Sequence, residues 1–275
     1  MENRTLSRVT GGLLAVVLLA AIGPADRSLY RALGRLDGRS PSVAVRPADP
    51  FADPPVDPGL LAEIMARVPA FGPRPTAVPV ALPPGPKAAW FARIPTDQPV
   101  AFITIDDGWV KHPQALSLMR RANVPVSFFL SLNAIADNPG FFADFRSTGA
   151  VIEAHSLTHT SLKGKPYDFQ RHEICGSADR LRDHYKRRPT LFRPPYGERD
   201  EITLAAARDC GMKAVLFWRE TVDNGIVRFQ TGSTIQRGDI ILMHFRQTFV
   251  EDFLAALHAI ARAGLTPALL EDYIA

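Results

Sequence analysis

The sequence has little of what would assign it quickly to a specialised class. It contains two cysteines, too few for a disulfide-dense scaffold or a four-cysteine zinc site. The apolar run Leu13–Ile22 (LLAVVLLAAI) is about half of the ~20 residues that a bilayer-spanning helix needs. No GxGxxG follows the first strand-like segment, which argues against a dinucleotide fold. There is no internal repeat and no dense Lys/Arg tract. The net charge of +4 is mostly at the front, because residues 1–87 hold 10 Lys/Arg against 7 Asp/Glu. Nucleic-acid binders need clustered cations, so that partner class is excluded. Lys186-Arg187-Arg188 reads instead as a set of cations solvating a helix C-terminus, where the macrodipole favours them. With 46% hydrophobic and 22% charged residues, the chain is neither wholly disordered nor collagen-like.

The front of the chain looks built for export. Arg4 and Arg8 precede the short apolar run, and Gly23 and Ala25 supply small residues for a cut before Asp26. A charged start followed by a short apolar stretch is the pattern of a secretory signal. Residues 1–25 are therefore a cleaved signal or a retained N-terminal anchor, the one route to a membrane. No cysteine lies nearby for lipid attachment. Residues 41–86 hold 13 of the 24 prolines, which excludes a long helix or central strand there. Residues 26–87 are expected to be an extended linker, with Leu60–Val68 forming a helical turn or two against the domain.

Residues 88–275 form the body, where strand-like and helical segments alternate. Val100–Ile105 (VAFITI), Val126–Leu130, Val151–Ala154, Leu191–Arg193, Ala214–Trp218 and Ile240–His244 read as short apolar strands. Helical stretches fall between them: one up to Ala122, then Phe141–Arg146, Asp168–Tyr185, Arg199–Cys210 and Phe249–Ala263. In the long one, Phe169, Ile174, Ala178 and Leu181 form the apolar side. Such alternation indicates an α/β fold, a parallel sheet covered by helices. About seven such units fit a distorted β/α barrel better than a small open sheet.

Chemistry collects at the ends of these strands. Asp106-Asp107 follow the first, His155 and His159 the third, Arg193-Pro194-Pro195-Tyr196-Gly197 the next, and His244 ends a late one. In parallel β/α architectures those ends open on one face, so residues distant in sequence converge. The i, i+4 spacing of His155 and His159 puts both imidazoles on one side of a helical turn. Two histidines and one carboxylate make a common catalytic zinc set. His112, His172, His184 and His258 fall in helical stretches on solvent faces and have no assigned role. His172-Glu173 does not begin a zinc-protease HExxH, because Gly176 stands at the second histidine position.

Taken in order, ITIDDG, HSLTH, RPPYG and ILMH resemble the successive motifs of the NodB-type polysaccharide deacetylases, carbohydrate esterase family 4. The resemblance spans about residues 98–272. It implies that Asp107, His155 and His159 hold a divalent metal, most often zinc. Asp106 would be the general base and His244 the general acid, with Arg193 orienting Asp106. The Tyr196 backbone N–H would share the oxyanion, and Leu242 and Trp218 would wall the acetyl pocket. One motif departs from the family. An Asp-Trp pair often follows the Trp218 strand, its Asp tethering the catalytic histidine. Here Asp223-Asn224 is the nearest match, with Glu220 as rival tether. Trp109, where many relatives have proline, would serve as a sugar platform.

The resemblance implies a monomeric, exported hydrolase removing N-acetyl groups from a cell-wall or extracellular polysaccharide, peptidoglycan or chitin-like. O-deacetylation of a xylan-type polymer is the alternative within hydrolases. A carbohydrate-binding version that has lost turnover is the alternative from another class. Cys175 and Cys210 are either two buried thiols or, in an exported protein, a disulfide between neighbouring helices.

Overall fold

The computed structural model describes residues 58–274; the expected signal segment, and the expected linker up to residue 57, lie outside the described residues. In chain order the elements are α1 (Pro58–Ala66), β1 (Ala89–Phe91), β2 (Val100–Asp107), α2 (Ala115–Ala122), β3 (Ser127–Leu130), α3 (Leu132–Ile135), α4 (Gly140–Ala143), β4 (Val151–Ala154), α5 (Tyr167–Tyr185), β5 (Leu191–Phe192), α6 (Glu201–Asp209), β6 (Ala214–Leu216), β7 (Glu220–Asp223), β8 (Ile226–Phe229), β9 (Ile240–His244), α7 (Phe249–Arg262), β10 (Thr266–Ala268) and α8 (Leu270–Tyr273).

The strands form one sheet in the order β1-β6-β5-β4-β3-β2-β9-β7-β8, with β10 also on β2. Every ladder is parallel except that of the β7–β8 hairpin. Parallel strands are covered on both faces, which is why they read as apolar runs. The sheet curves into an open, distorted barrel. Strands β1 and β8 end the order with no ladder between them, and the chain after β1 crosses to the start of β9 through an isolated Arg93–Asp239 bridge.

Alternation along each strand divides the core into two layers. Ala101, Ile103 and Ile105 of β2 join Phe128, Ile152, Ile241 and Met243 beneath the helices. Val100 and Phe102 face inward, where they meet Phe129, Leu191, Leu216 and Ile240. Leu270, Tyr273 and Ile274 close that apolar inner end. Followed toward the strand C-termini, the same inward rows lead from Phe102 to Asp106, from Leu191 to Arg193, and from Ile240 to His244. One interior is thus hydrophobic at one end and polar at the other.

Several expectations are corrected. Helix α1 docks through the buried Ile64, as expected of Leu60–Val68, but the proline-rich stretch after it also packs along the domain: Ala77, Val80 and Leu82 lie against the inner core. The Val80 N–H donates to the Tyr273 carbonyl at 2.9 Å. Phe169 is exposed rather than part of the apolar side of α5. His112 lies in a loop, not a helix, and stacks on Phe249. In the cationic cluster Lys186 does serve the C-terminus of α5, as its left-handed cap and as a donor to the Asp183 carbonyl, but Arg187 pairs instead with the buried Glu153 at 2.7 Å. The β7–β8 hairpin is not among the expected elements. Its turn is Asn224-Gly225, both at positive φ, the dipeptide whose backbone twist suits a two-residue hairpin loop.

Cys175 and Cys210 form a disulfide joining α5 to the C-terminal end of α6. Asp200 caps α6 in a reciprocal box with Thr203, satisfying N–H groups that a helix start leaves open. Among the described residues, no helix is long and apolar enough to cross a membrane.

Candidate active site

Strict alternation would place Asp106 and Asp107 on opposite faces of the sheet. Asp107 has φ 71, which turns the chain so that both carboxylates reach one cluster. His155 Nε2 lies 3.8 Å from Asp106 Oδ2 and 3.3 Å from Asp107 Oδ1. His159 Nε2 lies 3.1 Å from the same Asp107 oxygen. The two histidines are not on a helical turn. They sit on a loop in which Ser156 and His159 both have positive φ, and their rings meet edge to face at 4.9 Å.

Strain is concentrated here. Of seven non-glycine residues at positive φ among the described residues, Asp107, Ser156, His159 and Tyr196 belong to these loops; the others cap helices or form the hairpin turn. Each such residue costs on the order of 1–3 kcal/mol and persists only where its surroundings enforce it.

The ligand atoms of Asp107, His155 and His159 lie within 4.8 Å of one another, and these residues fit a divalent cation. Asp107 Oδ1 is buried with no hydrogen-bond partner of good geometry. His155 Nδ1 is 2.7 Å from the Arg193 carbonyl; donating its proton there leaves the Nε2 lone pair free for a metal. Burial opposes ionisation of Asp107, but the two imidazoles override it and hold its carboxyl far below the usual range. Burial likewise opposes protonation of His155, and the Asp106 and Asp107 charges override that, raising it above an ordinary histidine.

Arg193 is completely buried. It donates to Asp106 Oδ1 at 2.7 Å, Thr104 Oγ1 at 2.8 Å and the Phe217 carbonyl at 3.1 Å. Its guanidinium lies 4.4 Å from the Phe129 ring centroid and 5.8 Å from that of Trp218. Tyr196 follows in the tight RPPYG turn, which requires Gly197: φ is 70, and a Cβ there would fall 2.1 Å from the Phe217 ring. Tyr196 and Trp109 are large exposed aromatics, at 63% and 53%, and Tyr196 packs edge to face on His159.

His244 is the register partner of Asp106 across β2 and β9, and Leu242 precedes it by two on the same face. Burial holds His244 below its ordinary pKa, opposed by Asp106 and Asp107 and assisted by the Arg246 charge. Neither expected tether is hydrogen-bonded to it. Asp223, at the hairpin turn, accepts from Arg246 at 2.6 Å and from Asn224 at 3.0 Å. Glu220 is buried beside Asp239; burial first, then the Asp239 charge, push its carboxyl up to about 9, so it is neutral at pH 7.

Two supporting residues are absent from the sequence reading. Thr104 donates to the Ile241 carbonyl at 2.7 Å while accepting from Arg193; its place two before Asp106 was the available signal. Ser156 Oγ accepts the His159 N–H at 2.9 Å.

Comparison with known proteins agrees with this geometry. Residues 93–215 match the polysaccharide deacetylase family, a span that includes Asp106, Asp107, His155, His159, Arg193 and Tyr196 but stops before His244. An uncharacterised protein of Streptomyces coelicolor is 37% identical over 185 residues, which cover 65% of this chain and 74% of that one. A bifunctional xylanase/xylan deacetylase of Cellvibrio japonicus is 32% identical over 148 residues, covering 52% and 22%. A peptidoglycan-N-acetylglucosamine deacetylase of Bacillus cereus is 24% identical over 165 residues, covering 55% and 75%. The solved structure of a family 4 carbohydrate esterase from Bacillus anthracis shares the fold, with TM-score 0.58 and 17% identity over 80% of this chain and 94% of that one. With the motif order, the strand-end site and these relatives in agreement, the chain belongs to the polysaccharide deacetylase family.

Proposed function

We propose that the protein is a metal-dependent deacetylase that removes N-acetyl groups from a cell-wall or extracellular polysaccharide, peptidoglycan or chitin-like, and releases acetate. The observation that carries the reading is the convergence of three metal-ligating side chains beside the Asp106–Arg193 pair and His244. Asp107, His155 and His159 would hold the cation, zinc in this reading. Such an ion polarises the acyl carbonyl and makes water a better nucleophile.

The remaining steps belong to the chain's own residues. Asp106, held by Arg193, takes the proton of the attacking water. The Tyr196 N–H donates to the oxygen that becomes negative. His244 gives a proton to the leaving nitrogen, since an amide nitrogen departs poorly as an anion. Leu242 and Trp218 border the space for the acetyl methyl, and Trp109 and Tyr196 offer stacking faces to neighbouring sugars. Asp223 acts on this site only through Arg246.

A second reading, removal of O-acetyl from xylan, is favoured by the 32% identity to the Cellvibrio enzyme. The Cys175–Cys210 disulfide supports an extracytoplasmic location, because reducing compartments keep such thiols free. Acetate release from peptidoglycan, chitin oligomers and acetylated xylan, with chelator and with added zinc, tests the proposal. Zinc-dependent release from an N-acetylated glycan is expected. Release from xylan alone selects the second reading, and no release from any substrate sinks both.

A further inference from the structure

The two histidines of the candidate site are supported differently. His155 has a ring nitrogen held by the Arg193 carbonyl. Among the described residues the His159 ring has no such acceptor: beyond the Asp107 oxygen it has only ring contacts with His155 and Tyr196. Its aim therefore depends on the backbone of the loop that carries it. That loop is strained at both Ser156 and His159, so something must enforce its shape.

Part of the enforcement comes from the start of α3, where the Leu132 and Asn133 N–H groups donate to the Ser156 and Leu157 carbonyls at 3.3 and 3.0 Å. The rest comes from α5. Glu173 Oε2 accepts two consecutive loop N–H groups, from Leu157 at 3.0 Å and Thr158 at 2.9 Å. Its other oxygen accepts the Thr158 hydroxyl at 3.0 Å. Glu173 is 2% exposed and has no Lys or Arg partner among the described residues, so every partner of this buried carboxylate lies in the loop. One helical turn on, Gly176 leaves room for Leu157; a Cβ there would stand 2.8 Å from Leu157 Cδ1. The residue that excludes a zinc-protease motif in the sequence is thus half of a seat for the loop, and Glu173 is the other half.

We propose that Glu173 is a positioning residue for the metal ligand His159, acting through the Leu157 and Thr158 N–H groups; this rests on reading Asp107, His155 and His159 as a metal site. Glu173 touches neither metal nor substrate. Its contribution is to metal affinity and ligand geometry, with Gly176 allowing the close approach.

The test compares full-length wild type with Glu173→Gln, Glu173→Ala and Gly176→Ala. Zinc affinity is measured by competition with a chromophoric chelator, site geometry by the visible absorption of the cobalt(II)-loaded protein, and folding by near-ultraviolet circular dichroism. Expected is zinc binding roughly 10–100-fold weaker in Glu173→Ala, with altered cobalt bands, a native dichroism spectrum, and a smaller loss in Glu173→Gln. If Glu173→Ala does not fold, Glu173→Gln and Gly176→Ala decide. Wild-type zinc affinity and cobalt spectra in the variants that fold overturn the inference. Asp107→Ala separates the two levels. If it abolishes zinc binding while the Glu173 variants bind normally, only this inference fails. If it binds zinc like wild type, the metal reading falls and takes this inference with it.

Discussion

A guanidinium with no exposed surface is costly unless it is paired and its N–H groups find acceptors. Arg193 meets most of that requirement: its two terminal nitrogens donate to Asp106, Thr104 and the Phe217 carbonyl, while Nε is buried without a partner, so Asp106, the proposed general base, is held by a side chain fixed at three points. His244 is placed differently, by strand register, with no carboxylate among the described residues hydrogen-bonded to its ring. Its proposed role separates by leaving group. His244→Ala should lower turnover about 10²–10⁴-fold on N-acetyl glycans, and far less on an activated aryl acetate, whose leaving group departs without a proton; steady-state rates on both substrates check this. The Arg246 cation disfavours the protonated form of His244. Arg246→Gln should therefore move the descending limb of the kcat/KM pH profile to higher pH. Asp223→Asn, which leaves that cation unneutralised, should move it lower. Identical profiles in both variants would show that the pair does not reach His244.

Elements, rather than single residues, decide how firmly this site is held. Helix α5 seats the histidine loop, and the Cys175–Cys210 disulfide ties α5 to α6 across a sequence separation of 35. Closing a loop of that length is worth about 3–4 kcal/mol in the chain-entropy account. The double variant Cys175→Ser/Cys210→Ser should lose about that much stability in denaturant titrations; a loss under about 1 kcal/mol would mean that α5–α6 packing suffices. On the opposite side, Glu220 of β7 shares a buried space with Asp239. Its carboxyl is raised to about 9, so between its unfolded value and that pH the folded state binds the extra proton. Stability from this group is present in mild acid and is lost as pH rises toward 9. Glu220→Gln removes that slope: its melting temperature should match wild type near pH 5 and exceed it by a few degrees near pH 9.

At the scale of the whole molecule, the barrel interior needs closure at its apolar end. Leu270, Tyr273 and Ile274 supply part of it, and Ala77, Val80 and Leu82 pack against the same cluster. Residues 58–87 are therefore part of the folded body despite their prolines, which keep residues 68–84 free of helix and strand but do not prevent burial. A chain starting at residue 88 should melt several degrees lower or be insoluble, whereas one starting at residue 58 should match the full-length body in thermal unfolding.

Much of this was legible in the chain alone, for an identifiable reason. Strands buried on both faces must be apolar runs, so VAFITI and IILMH declare themselves. Polar residues that interrupt or end such runs, Asp106, Arg193 and His244, stand out against that background. Local patterning was weaker where two rules competed. The spacing of His155 and His159 suits a helix, but two left-handed residues build a loop instead. Asp223 sits where a tether belongs in the family, yet the following Asn-Gly makes it a hairpin corner facing Arg246. Glu173 stood out only as part of a rejected HExxH, and nothing local ties it to the histidine loop. The sequence by itself determined the fold class, the strand ends and the candidate donor set, because burial dictates residue type along each element. Which donors share an atom's reach, which carboxylate meets which cation, and what seats the strained loop were decided only by tertiary structure, because those contacts join segments whose separation in space no local pattern encodes.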